Sequence, residues 1–530
     1  MQIRPTWKCR VRRGVLLAIG AAGFVFSQAD ADTDVHAAAS ASTNAAISAA
    51  ENPANPANSA KPDNPANPEN PEKPGDAAPV SAAPVATATP SAPVDTPPAA
   101  PAPAWVSALG LDHVPLPQLT GLQFTMIRQH LASLKSPYAS SLSLPAGGDT
   151  ANTYTYGVYT GWEPIRHLQL YLDLEQFQGR GIGNATGLAS LTDGDSIRSG
   201  SAGLAKGPYI ARKFVRYVLP LGSETHSVER AQDTLPGDEA DRRFEFKLGT
   251  LAVSDDFDKN RYANSTRTQF ENWSLFNNTA WDFAADTRGY TGGAMLAYVS
   301  PLWALRYGIY QMPKHANGQE LDNPITHANG QQLELTLQRP GDNPAILRVL
   351  VFRNTARMGV YADAIAQGQA SGTAPSITAD DKPFRRKYGV TLNGELPLAD
   401  DGETGLFTRI GWNNGRTESF AYTEVDHLVS LGGQLDGLHW WRPSDRVGVA
   451  YVIGNLSARH EQYLAAGGEG FVVGDGHIDY GAERVLETYY RLQPIAHVQL
   501  AADYQHIDHP GYNRARGPAD VVGFRIHLEY

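Results

Sequence analysis

From Trp105 onward, apolar and polar positions alternate in segments of about 8–14 residues, each closed by Gly, Asp, Asn or Pro. A period of two places alternate side chains on opposite faces of a β-strand. The last segment, Val521–Tyr530, sets Val522, Phe524, Ile526, Leu528 and Tyr530 against Gly523, Arg525, His527 and Glu529. In HLQLYLDLEQ (167–176), Leu168, Leu170, Leu172 and Leu174 oppose Gln169, Tyr171, Asp173 and Glu175. The same division recurs in FEFKLG (244–249), WALRYGIY (303–310), LELTLQ (333–338), YGVTLNGE (388–395) and VQLAADYQ (498–505). One face is greasy and the other charged or amide-bearing. That suits a wall between lipid and water, with Tyr and Trp near strand ends where bilayer interfaces favour them. A soluble sandwich also alternates, with shorter strands and no such aromatic placement.

The pattern predicts an all-β, closed antiparallel transmembrane barrel of 16 strands, with 18 the alternative count. The strands begin near Leu122, Thr153, Arg166, Tyr209, Arg243, Gly289, Pro301, Gln331, Ala345, Lys387, Gly405, Glu424, Asp445, Arg484, Ala496 and Asp520. Sixteen tilted strands enclose an aqueous channel, whereas eight would be filled by their own side chains. Gly179–Lys206 and Ala364–Lys382 read as loops or inserts able to fold into the lumen.

The stretch before Trp105 has a different character. Residues 1–31 join a basic start (Arg4, Lys8, Arg10, Arg12, Arg13) to an apolar run, Gly14–Phe26, and then Ala29-Asp30-Ala31. This is a secretory signal, too short for a membrane-spanning helix. Cleavage removes the single cysteine, Cys9, so no disulfide or thiolate metal site can hold the mature fold. It also takes the net charge from −11 to −15, which argues against nucleic acid as a partner. From 32 to 104 the chain is Pro, Ala, Asn and Ser, too poor in apolar surface to offset its ordering entropy. It reads as a disordered periplasmic linker, and 105–530 as the barrel domain.

Several blocks go beyond periodicity. HWWRPSDRVGVA (439–450), GDGHIDYGAERVLETYY (474–490) and LAADYQHIDHPG (500–511) resemble the carbohydrate-selective porin family (OprB-like) of Gram-negative outer membranes. RQHLASLKSPYASSLSL (128–144) and YIARKFVRYVLPLG (209–222) resemble that family's amino-terminal blocks. The chain departs from the family in its proline-rich leader and in ending on Tyr530 where Phe is commoner. The resemblance implies a 16-stranded outer-membrane porin, not an enzyme, that passes mono- or oligosaccharides into the periplasm by facilitated diffusion. It implies no cofactor. A barrel exporting an exopolysaccharide is one alternative, and a secreted all-β carbohydrate-active enzyme is the other.

A sugar path needs hydrogen-bonding groups spread along a wet wall and bound weakly enough to release. The foremost candidates are Asp173 and Glu175 on the third strand, with Arg212 and Arg216 sharing a face of the fourth. Arg306, Glu334, Arg409, Glu487, Arg491, Asp503 and Arg525 follow by the same parity. Trp273, Trp281, Trp440 and Trp441 read as interfacial girdle rather than sugar platforms. His315, His327, His477, His506 and His509 show no metal-ligand spacing. Phe524, Ile526, Leu528 and Tyr530 mark the barrel-closing strand, which the barrel-assembly machinery would read. Expected partners are thus saccharides, outer-membrane lipid and that machinery, with a homotrimer left open.

Overall fold

A computed structural model describes residues 117–196 and 204–530. The predicted signal and proline-rich linker lie outside the described residues. Sixteen strands close into one antiparallel barrel. They are β1 (Leu119–Leu131), β2 (Asp149–Ile165), β3 (Leu168–Gly179), β4 (Tyr209–Pro220), β7 (Arg243–Leu251), β8 (Thr291–Val299), β9 (Trp303–Gln311) and β10 (Asn329–Gln338). The circuit continues through β11 (Ile346–Met358), β12 (Lys382–Ala399), β13 (Thr404–Asn413), β14 (His427–Asp436), β15 (Arg446–Asn455), β16 (Glu483–Ile495), β17 (Val498–Asp508) and β18 (Ala519–Glu529). Every predicted strand start falls within five residues of an observed one. Two short strands the periodicity did not reveal, β5 (Thr225–Val228) and β6 (Gly237–Ala240), form a separate hairpin between β4 and β7.

Closure comes from β18 lying against β1, in register from Gln123↔Glu529 to Leu131↔Val521. Leu122 and Tyr530 exchange both backbone hydrogen bonds at 2.9 Å, so the pairing runs to the last residue. Alternation then decides which face meets which medium. Val522, Phe524 and Leu528 are exposed, whereas Gly523, Arg525 and His527 are buried inside. Leu172, Leu174, Phe246, Leu248, Leu305, Leu333 and Leu392 repeat the outward pattern around the wall. So wide an apolar belt would be costly in water and suits hydrocarbon. Aromatic pairs sit toward the strand ends: Tyr298–Trp303 at 4.8 Å on one rim and Tyr388–Trp412 at 6.1 Å on the other.

The connections are asymmetric. On the side holding the carboxy terminus most turns are short, such as that between β2 and β3, and this is the periplasmic side of such barrels. The exception is residues 221–242, which carry the β5–β6 hairpin. The opposite connections are long. Two carry helices, α1 (Tyr361–Ser371) and α2 (Ala458–Ala465), which pack on one another. The segment between β7 and β8, residues 252–290, turns into the barrel, and Phe257, Tyr262, Phe270, Leu275 and Trp281 are buried there.

Candidate functional site

The lumen is built by parity. On β3, Asp173 and Glu175 turn inward, and on β4, Arg212 and Arg216 do so, although the pairing shifts by one residue between Asp173 and Leu174. The adjacent acidic and basic residues do not stand apart: Arg212 pairs with Asp173, joined by carboxylates from two inserted segments. Arg212 meets Asp255 at 2.7 Å, Asp233 at 3.3 Å, Asp173 at 3.4 Å and Glu175 at 4.0 Å. Asp255 arrives on the inward loop from above, and Asp233 on the β5–β6 hairpin from below. One guanidinium therefore ties both inserts to the wall. The hairpin is anchored further by Gln232, which donates to Asp173 Oδ2 at 2.6 Å, and by the Leu235 N–H donating to Tyr171 Oη at 3.3 Å.

Burial and charge set the protonation of these inserts. Burial, reinforced by the carboxylates of Asp173 and Asp255, pushes Asp233 up to about 8 despite Arg212. Asp255 behaves oppositely: burial would raise it, but the Arg212 guanidinium holds it below the usual carboxylate range. Burial lowers Lys259, although Asp255 and Asp256 favour its charged form.

Below this junction lies a cavity of about 1080 Å³ between the hairpin and the wall, reaching the start of the inward loop. Arg216, Glu245, Lys247, Lys259 and Arg306 line it, with Gln169 and Asp256. Arg216 bonds Glu245 at 2.8 Å, donates to Gln169 Oε1 at 2.9 Å, and also reaches Glu239. Lys247 pairs with Asp256 at 2.5 Å. Arg306 donates to Thr336 at 3.1 Å and lies 3.9 Å from Glu334. The wall thus offers mixed donors and acceptors over a long wet surface, as a sugar's hydroxyl groups require.

The remaining predicted residues also point inward, yet most lie beneath the inward loop. Arg409 is fully buried and donates to Asp258 Oδ2 at 2.9 Å and to the Leu275 and Ala263 carbonyls at 2.8 Å. Glu487 accepts the Glu271 and Asn272 N–H groups at 2.5 and 3.0 Å. Arg525 donates to the Thr266 and Gln269 carbonyls at 2.8 Å. Arg491 reaches the Thr268 carbonyl at 3.4 Å, Glu334 accepts the Asp258 N–H at 2.8 Å, and Asp503 accepts from Gln505 at 3.2 Å. All of these except Asp503, whose bond stays within its own strand, hold the loop across the lumen.

Trp273 and Trp281 correct the girdle expectation. Both belong to that loop, inside the barrel, within an aromatic cluster where Trp273 lies 4.8 Å from Tyr422 and Trp281 5.0 Å from Phe283. Trp440 and Trp441 sit at the periplasmic rim, as a girdle would. Sequence reasoning also missed Asp233, Asp255, Asp258 and Glu271, because inserts have no strand period. The aromatic density of 267–293 was the available sign that this segment is no exposed loop.

Residues 162–530 match the family described as carbohydrate-selective porin, OprB family. No curated protein matches the chain. Among solved structures, the high-pH form of Pseudomonas putida OprB shares the fold at 13% identity and TM-score 0.59, covering 78% of this chain and 94% of that one. The outer-membrane channel DcaP of Acinetobacter baumannii, at 11% identity, covers 78% of this chain and 96% of its own at TM-score 0.43.

Proposed function

Since the chain belongs to the carbohydrate-selective porins of the OprB family, it is a Gram-negative outer-membrane channel for sugars, and we propose that Arg212 and Arg216 govern its path. Mono- or oligosaccharides then move inward by facilitated diffusion along β3, β4, β7 and β9, with no covalent step. The observation that carries this is the mixed charge of the 1080 Å³ cavity, where Arg216, Lys247 and Arg306 face Glu245 and Asp256. Opposite charges within a few ångströms limit the net field, so neutral polyols are not disfavoured against ions. Each contact is weak and the groups are spread out, so a solute can leave as readily as it enters. The linker at 32–104 extends into the periplasm in this reading, and the β18 strand is what the assembly machinery recognises.

Liposome swelling tests it. The protein should pass sugars faster than amino acids of equal size, and Arg212→Ala with Arg216→Ala should change both conductance and sugar block in a correctly inserted barrel. Equal passage of sugars and amino acids, or sugar block unchanged in the double variant, would remove the assignment.

A further inference from the structure

We propose that the extracellular mouth holds a separate binding site for a neutral sugar of one or two rings, in a cavity of about 450 Å³ beside α1. Its role as an entry site rests on the channel reading above, but binding itself does not.

Four connections converge to make it. His315 comes from the β9–β10 segment, Tyr361 and Ile377 from β11–β12, Glu418 from β13–β14, and Tyr463 from β15–β16. The volume is in the range of small-molecule sites, about 300–1,000 Å³. Its wall has two characters. Tyr463, Ile377 and Phe471 supply aromatic and aliphatic surface, against which the C–H face of a sugar ring can lie. Ser376, Thr378, Ser419, Asp381 and Glu418 supply hydroxyl and carboxyl groups for its rim.

The Tyr361 hydroxyl marks the place that lacks a partner. The side chain is 1% exposed and borders the cavity, yet its Oη makes no hydrogen bond. The ring is not free to turn away, because it stacks on His460 at 4.3 Å and tilts against Tyr463 at 5.1 Å. A buried hydroxyl held in place without a partner is costly, and a ligand hydroxyl would relieve that cost.

The acidic groups do not turn this into a cation site. Glu424 spends Oε2 on the Val472 and Val473 N–H groups at 3.0 and 2.9 Å, with His460 3.8 Å from its other oxygen. Lys387 places Nζ 2.8 Å from Ser419 Oγ. Burial, with Asp381 alongside, raises Glu418 to about 8, so it is largely neutral at pH 7 and able to donate. No group of acidic or histidine ligands with metal-site geometry occurs among the described residues. Four carboxyls, from Asp381, Glu418, Glu424 and Glu469, share the wall with the hydroxyls of Ser376, Thr378 and Ser419, so it offers both acceptors and donors to a polyol.

Calorimetric titration of the purified full chain in detergent decides the matter, using maltose, glucose and lysine hydrochloride. Either sugar should bind saturably at millimolar concentration, and lysine should not. Tyr361→Phe, checked for correct folding by heat-modifiable migration, should weaken sugar binding about fivefold, the worth of one hydrogen bond. Trp441→Ala, on the periplasmic rim and 92% exposed, should leave that affinity unchanged. No saturable sugar heat, an unaltered affinity in Tyr361→Phe, or preference for lysine would each overturn the proposal. Sugar passage into liposomes alongside flat titrations would defeat this site and spare the channel reading. Sugar binding without passage would do the reverse.

Discussion

At the scale of single residues, the lumen is controlled by buried ion pairs whose removal leaves a charge stranded. Arg409 is the clearest case, since its guanidinium meets Asp258 and three loop carbonyls with no exposure to solvent. Asp258 keeps two further partners, Asn393 Nδ2 at 2.7 Å and the Asn278 N–H at 2.9 Å, but these are neutral. Arg409→Ala should cost about 3–5 kcal/mol of loop anchoring, the usual penalty for breaking a buried pair from one side. The expected readout is a larger, noisier single-channel current in a barrel that still inserts. A quiet wild-type current would show that the loop does not depend on this pair. Glu418 gives a prediction in pH. Its carboxyl titrates about 8 in the folded loops, through burial and Asp381, against an ordinary 4.5 when they open. Between those values the closed form holds the extra proton. The stabilisation is therefore complete below about 4.5 and lost as pH rises through 8. Exchange of the Gly359 amide, which donates to Glu418 Oε1 at 2.6 Å, should accelerate beyond its intrinsic pH dependence as pH rises toward 8, and follow only that intrinsic dependence above it. Glu418→Gln should abolish that extra acceleration.

At the scale of elements, the β5–β6 hairpin closes part of the periplasmic mouth. Arg230 reaches the Thr120 carbonyl and lies 5.8 Å over the Tyr530 ring, so the hairpin also leans on the strands that close the barrel. Replacing residues 222–241 by a four-residue turn should leave β4 and β7 paired, because their ladder from Lys213↔Thr250 to Pro220↔Arg243 does not use the hairpin. Conductance should rise and the preference for sugars over equal-sized amino acids should fall. Unchanged selectivity would show that discrimination lies elsewhere. This element also shows where sequence reading stops. Strands were legible because lipid on one side and water on the other force a period of two, and Asp173, Arg212 and Arg525 were placed inward by that period alone. The inserts have no lipid face, so their polar and apolar residues follow packing partners distant in sequence. Asp233 beside Arg212, or Glu271 beside Arg525 at 3.5 Å, has no local signature. The same parity that put Arg409 and Arg525 inside could not tell a wet wall from one covered by a loop.

At the scale of the whole molecule, a barrel in hydrocarbon survives only if it has no edge. The β18 strand supplies two ladders at once, to β1 and to β17, the latter running from Val498↔Leu528 to Ile507↔Ala519. Deleting Val521–Tyr530 would expose unpaired N–H and C=O groups on both neighbours, each costing several kcal/mol where no water can reach them. It would also remove Arg525, which holds the inward loop, so loss of closure must be separated from loss of the loop anchor. Arg525→Ala makes that separation, since it keeps every backbone pair of β18 and removes only the contacts to Thr266, Gln269 and Glu271. The truncated chain should fail to give a heat-modifiable band in the membrane fraction, whereas Arg525→Ala should give one and show an altered current. A truncation that inserts normally would mean that closure by β18 is dispensable. Failure of both variants alike would place the decisive contribution in the interior contacts and not in the ladder.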